Sequence, residues 1–139
     1  MDNKFEQISL KKGFMKHNGG IMFKNISESE YKYKTIITEN HLNAAGITHG
    51  GFIAAVVDAG AGTAAHRAAN SSPCVTISLE LKFISPVKLD QELMGMVKIQ
   101  KKTKSMVFLT CELKSLEKIV ATASGVWKIL KLTGAGPGG

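Results

Sequence analysis

The chain has 139 residues, 44% of them hydrophobic and 21% charged, enough to bury one core without disulfide or metal staples and too few for two ordinary domains. Lys and Arg number 18 against 11 Asp and Glu, a formal charge of +7 that favours phosphate-bearing ligands, but the lysines are scattered and no aromatic residues interleave them as in a nucleic-acid platform. Cys74 and Cys111 form no close-spaced pair and read as reduced core thiols, and with a polar start and no apolar run of roughly 18 residues the expected location is cytoplasmic, with no membrane span.

Apolar side chains at positions 5, 8, 10, 14 and 15 have the spacing of a short amphipathic helix that stops at His17-Asn18-Gly19-Gly20. Residues 1–20 are therefore expected to form an N-terminal helix and turn that packs on the domain or lids it. Residues 21–26 and 31–37 are rich in β-branched and aromatic side chains and are separated by the polar run 27–30, so a hairpin is expected.

After the polar, glycine-containing stretch 38–51, the sequence from Phe52 to Ala65 is apolar on every helical face, the pattern of a helix enclosed on most sides. Its Ala and Gly residues allow close backbone approach, and Asn70-Ser71-Ser72-Pro73 ends it. Four strand-like stretches follow, at 74–84, 92–101, 106–116 and 119–130, with separators short enough for antiparallel neighbours. Within the first, Val75, Ile77, Leu79, Leu81 and Phe83 alternate with Thr76, Ser78, Glu80 and Lys82, which predicts one buried and one polar face. The whole is one α+β domain over residues 1–132, an antiparallel sheet curled around a central helix. The glycine-rich segment 133–139 is expected to be a flexible tail.

Asp58 is the only acid between Ala44 and Glu80 and is flanked by Val56, Val57 and Ala59. A carboxylate buried among such neighbours costs several kcal/mol unless it is partnered or functional. Local pairing, with Arg67 for example, is the structural alternative, although no basic residue stands three or four places away. His49-Gly50-Gly51 precede the helix, where glycines admit a ligand and free amides at the positive end of the dipole stabilise an oxyanion. Read singly, these three, like Asn43 before them, are turn or structural residues. His49 and Asp58 are nine residues apart, hence on opposite faces of one helix and about 13 Å apart. If both serve one substrate, the helix start of one copy must face the helix middle of another across a two-fold axis.

The run His41-Leu42-Asn43-Ala44-Ala45-Gly46-Ile47-Thr48-His49-Gly50-Gly51, continued to Asp58, resembles the Asn-x-x-Gly-x-x-His-Gly-Gly…Asp signature of PaaI-like acyl-CoA thioesterases of the hotdog superfamily. Val75-Thr76 and Phe83-Ile84-Ser85-Pro86-Val87 are similar to the family's next strand and turn, and the likeness extends from about Ile21 to Leu130. Asp90-Gln91 departs from it, since relatives commonly have glycine there, and leaves that turn's geometry open.

The resemblance implies a hotdog fold, a homodimer or homotetramer, and hydrolysis of an acyl-CoA without a resident cofactor or metal, CoA entering as part of the substrate. It implies Asp58 as general base or nucleophile, with Thr76 orienting it or its water. From the partner subunit it implies Gly50 N–H on the thioester carbonyl, Asn43 positioning substrate or water, and His49 near the leaving thiolate. Gly51, Lys104 and Ser105 are the candidate substrate-binding residues, the Lys101-Lys102-Lys104 cluster offering a contact for CoA phosphates. No Gly-x-Ser-x-Gly elbow or phosphate-binding loop competes. A non-catalytic acyl-CoA sensor on this fold would dispense with Asp58, and a hydratase or dehydratase would place His with Asp or Glu differently.

Overall fold

The structure is a computed structural model that describes residues 4–131; the tail expected at 133–139 lies outside them. In chain order the elements are β1 (Glu6–Gln7), α1 (Phe14–His17), β2 (Met22–Asn25), β3 (Glu30–Ile36), a 3-10 turn (Glu39–His41), α2 (Gly50–Ala68), β4 (Cys74–Phe83), β5 (Glu92–Lys102), β6 (Met106–Ser115) and β7 (Lys118–Ile129). All strands pair antiparallel in one sheet, ordered β1-β2-β3-β5-β6-β7-β4. The sheet curls around α2, which gives the α+β hotdog arrangement its single long helix.

The expected N-terminal helix over residues 5–15 is not formed. An isolated helix of that length is marginal in water, whereas the edge of β2 offers ready ladder bonds: Glu6 and Gln7 pair with Phe23 and Met22, and Ile8 N–H donates to Ile21 O at 3.3 Å. Only one helical turn, α1, survives beyond Gly13. The β2–β3 hairpin forms as the sequence predicts, with Phe23 opposite Tyr33.

The four strands after α2 also form, but the expectation that β4 and β5 are neighbours fails. β4 pairs with β7 at one sheet edge, and β5 sits beside β3. The link between them is held under the loop that leads into α2: Val87 O accepts Thr48 Oγ1–H at 2.7 Å and Thr48 N–H at 3.0 Å, and Asp90 N–H donates to Ile37 O at 2.9 Å. Asp90, the departure from the glycine pattern, has φ 67°, a left-handed position that glycine adopts freely and Asp tolerates.

The strict alternation expected along β4 is broken by a bulge between Thr76 and Ser78. The extra residue shifts the phase of the strand, so Thr76 shares the helix-side face with Leu79 and Leu81 while Val75 and Ile77 stay exposed. Under α2, the fully buried ring of Tyr33 is sandwiched where both Gly60 and Gly95 lack a Cβ. Its hydroxyl meets Cys111 Sγ at 3.0 Å, and burial pushes the Cys111 thiol up to about 12. Despite the low aromatic content, Trp127, Tyr33 and Phe23 are the largest sealed side chains of the core.

Candidate functional site

The sheet covers α2 through Phe52, Ile53, Val56, Val57, Ala61 and Ala64, each large apolar side chain contributing about 1.5–3 kcal/mol on burial. The opposite side is open. Gly51 and Asp58 are exposed there and Ala54, Ala55, Ala59 and Gly62 are half-buried. This corrects the expectation that Asp58 is buried in a helix enclosed on most sides: within one chain its carboxylate meets solvent. A helix has more circumference than one curled sheet can cover, and the uncovered stripe is built from small residues.

Asp58 is nevertheless held. Thr76 Oγ1–H donates to Asp58 Oδ1 at 2.6 Å, and it is the β4 bulge that turns this hydroxyl toward α2. Asp58 Oδ2 has no partner among the described residues. The structural alternative of a pair with Arg67 does not occur; that guanidinium donates to Glu6 Oε1 and Asn25 Oδ1, both at 2.8 Å, and stacks over Phe23.

The approach to α2 is rigid. His41 is buried and stacks on Phe52 with ring centroids 3.6 Å apart. Its Nδ1 accepts Thr38 N–H at 2.9 Å, so its ring proton is on Nε2, donated to Asn18 O at 2.7 Å. Asn43 Oδ1 accepts from Ala45 N–H at 2.9 Å and Ile47 N–H at 3.3 Å, an Asx-type turn that leaves the amide NH2 available. His49 is the N-cap: its Nδ1 accepts Gly51 N–H at 2.8 Å, and its carbonyl accepts Phe52 and Ile53 N–H. The capped Gly51 amide is thereby committed within the chain. Gly50 N–H alone of the first-turn amides has no acceptor among the described residues, and the Phe83 ring lies 3.5 Å from where a Cβ on Gly50 would sit.

The candidate residues thus fall into separate groups. Asp58 and Thr76 meet; Asn43, His49, Gly50 and Gly51 gather at the start of α2, about 12 Å along the axis. Lys104 and Ser105 join neither. They occupy the β5–β6 turn, where Lys104 borders a shallow depression with Lys102, Asn70 and Ile129, and Ser105 O accepts Ile129 N–H at 2.8 Å. Two features escaped the sequence reading: His41 as the buried pillar of the helix start, and Trp127, which shares a groove with Asp58 and Thr76. His41 lies inside the motif and could have been singled out; nothing local marks Trp127. No helix among the described residues is long and apolar enough to cross a membrane.

Comparison with known proteins places this geometry in context. The sequence profile of the thioesterase superfamily matches residues 45–122, the stretch from the helix approach to β7. PA0474 of Pseudomonas aeruginosa, a protein named among the esterases, is 34% identical over 94 residues, covering 67% of this chain and 70% of the relative. Human acyl-coenzyme A thioesterase 13 is 29% identical over 87 residues, covering 61% of this chain and 62% of its own length. The E. coli PaaI protein of the phenylacetic acid degradation operon superimposes with a TM-score of 0.74 at 20% identity, over 84% of this chain and 83% of that one.

Proposed function

The chain belongs to the thioesterase superfamily and is a thioester hydrolase, and from that premise we propose that it cleaves acyl-CoA to the free acid and CoA at a site shared between two copies. The observation that carries this reading is the Asp58–Thr76 contact on the open side of α2. A carboxylate pinned at Oδ1 and free at Oδ2 is suited to take a proton from water. The water oxygen then bonds to the thioester carbon, the carbonyl electrons move to oxygen, and collapse expels the thiolate. Thiolate leaves readily, so one base and one oxyanion donor suffice.

The donor is Gly50 N–H of the other copy. β4 is a ten-residue edge strand whose outer side is unpaired among the described residues, with Val75, Ile77 and Phe83 45%, 52% and 58% exposed; such an edge invites pairing. Thr76 lies at one end of β4 beside Asp58, and Phe83 lies at the other beside Gly50. Antiparallel pairing of two β4 strands about a two-fold axis near Leu79 sets the Thr76 end of one copy against the Phe83 end of its twin. Asp58 then faces the partner's helix start, and the small-residue stripes of the two α2 helices come side by side. In that frame His49 presents Nε2–H to the leaving sulfur and Asn43 its amide to substrate. The amide of Gly51, already held by His49, lends shape rather than a hydrogen bond. Lys102 and Lys104, with Ser105 in the same turn, take the CoA phosphates.

The test is complementation between two inactive variants, followed by thiol release from acyl-CoA. Asp58→Asn removes the base, and turnover falls by about 10²–10⁴-fold. Gly50→Pro removes only the free N–H: proline is tolerated at the first helical position, and His49 at φ −62°, ψ 132° already has the backbone that a following proline requires. Mixing and re-annealing the two should restore about a quarter of wild-type turnover, because half the dimers are mixed and each carries one intact site. A mixture as inactive as its components, or a catalytically active monomer by light scattering, would refute the shared site. No thiol release by the wild type from short, long and aromatic acyl-CoAs would refute the activity.

A further inference from the structure

Beside Asp58 a groove of about 510 Å³ runs along α2 between the β4 edge and the N-terminal segment, walled by Ile8, Met15 and Ala59 and floored by Trp127. Its polar side chains are nearly all engaged. Thr76 bonds Asp58, Thr63 Oγ1–H donates to Ala59 O at 2.8 Å, His66 Nδ1–H donates to Ser72 O at 2.7 Å, and Ser9 Oγ accepts Ile21 N–H at 3.1 Å.

Besides the free Asp58 Oδ2, Trp127 is the exception. The side chain is 1% exposed, yet its indole N–H has no acceptor among the described residues. Nor is that nitrogen sealed in the core: Ser115 Oγ is the only sealed, unpaired side-chain nitrogen or oxygen among them. Nε1 lies close to Gly62, where a Cβ would stand 3.3 Å away; glycine, having none, leaves that volume beside the donor unfilled. Gly62 is about one helical turn beyond Asp58 on the same face, about 6 Å along the axis.

Resting on the acyl-CoA reading above, we infer that Trp127 is a specificity-determining residue, selecting acyl groups that carry a second carbonyl oxygen to accept its indole N–H. An unsubstituted alkyl chain fills the groove but leaves that donor dry and unpaired, whereas an oxo group satisfies it. A site with a buried donor discriminates against the analogue lacking the acceptor. The neutral hydrogen bond and the avoided unpaired donor together correspond to about tenfold in kcat/KM.

The probes are octanoyl-CoA and its 3-, 5- and 7-oxo derivatives, compared by thiol release. The wild type is expected to favour at least one oxo isomer about tenfold over octanoyl-CoA. Trp127→Phe keeps an aromatic ring and removes the donor; Gly62→Ala keeps the donor and sets a methyl 3.3 Å from Nε1. In both, the oxo-to-octanoyl ratio falls to about one, and because the readout is a ratio, general loss of activity does not mimic it. Equal rates for all four thioesters in the wild type, or a preference undiminished in Trp127→Phe, would overturn the inference while leaving the acyl-CoA reading standing. Absence of hydrolysis of every probe by the wild type would overturn both.

Discussion

Thr76→Val isolates the contact on which the proposed chemistry depends. Valine keeps the branched shape of threonine at the β4 bulge and deletes only the hydroxyl that meets Asp58 Oδ1 at 2.6 Å. A hydrogen bond to a charged group is worth about 1.5–3 kcal/mol. Asp58 and Thr76 are both exposed in the chain, so solvent competes for the carboxylate and the lower end applies. If the bond's role is to hold the base in its working orientation, about 1.5 kcal/mol of transition-state stabilisation is lost, a fall of roughly tenfold in kcat. KM should stay within about twofold, since no substrate contact is removed. Thr76→Ser restores the hydroxyl and should recover most of the rate. The assay is steady-state thiol release with a melting curve on each variant. Equal loss in the Val and Ser variants would show that the strand's shape, not the hydroxyl, matters; full activity in Thr76→Val would remove Thr76 from the mechanism.

Two further outcomes follow from the packing beneath the site. Gly60→Ala sets a methyl into the ring of Tyr33, and such overpacking costs about 1–3 kcal/mol, read as a melting temperature lower by roughly 3–10 °C for a domain of this size. Shrinking the ring with Tyr33→Val in the same chain should make the double variant more stable than the sum of the two losses, and strict additivity would refute the sandwich. The second outcome concerns pH. The Cys111 thiol rises from 9.0 to about 12 on folding, so its protonated form is favoured by the native state. Its stabilisation is fully present below about pH 9 and is lost as pH rises toward 12, by roughly 2–3 kcal/mol between pH 9 and 11. Tyr33, also raised by burial, acts in the same direction. Urea midpoints should therefore fall over that interval, and fall less in Cys111→Ala; identical slopes would refute the assignment.

The readable parts of this chain are those whose signal is local. The long helix shows in the small and apolar run after Phe52, the β2–β3 hairpin in its polar turn, and the last four strands in their β-branched stretches, and all of them form. The expected helix at 5–15 failed because sheet-edge bonds to Phe23 and Met22 outcompete a short helix, and those partners lie too far along the chain for any local window to register. The bulge at Thr76 is equally invisible, since Val-Thr-Ile-Ser-Leu alternates perfectly in sequence and only pairing with Trp127 and Val126 reveals the extra residue. The family resemblance set Thr76 beside Asp58, and the two side chains meet at 2.6 Å. It could not report that Asp58 is open in one chain, because composition registers only that small and apolar residues surround it, not whether sheet, solvent or a second copy covers that side.

The openness of Asp58 and the edge position of β4 have one physical origin. A seven-stranded sheet wrapped around a single helix leaves a seam, and here that seam exposes the acid, the free strand edge and the stripe of Gly51, Ala54, Ala55 and Ala59 together. The strand that orients the base is an edge strand, paired with β7 on one side and unpaired among the described residues on the other. Pairing along β4 would order the backbone that carries Thr76, exclude water from the seam, and supply the oxyanion donor that a single α2 cannot bring within reach of its own Asp58. Burial of the carboxylate, inferred from sequence and absent in the isolated chain, would then be a property of the pair of chains, so that an unpaired copy exposes a carboxylate without a complete site and substrate cleavage awaits association.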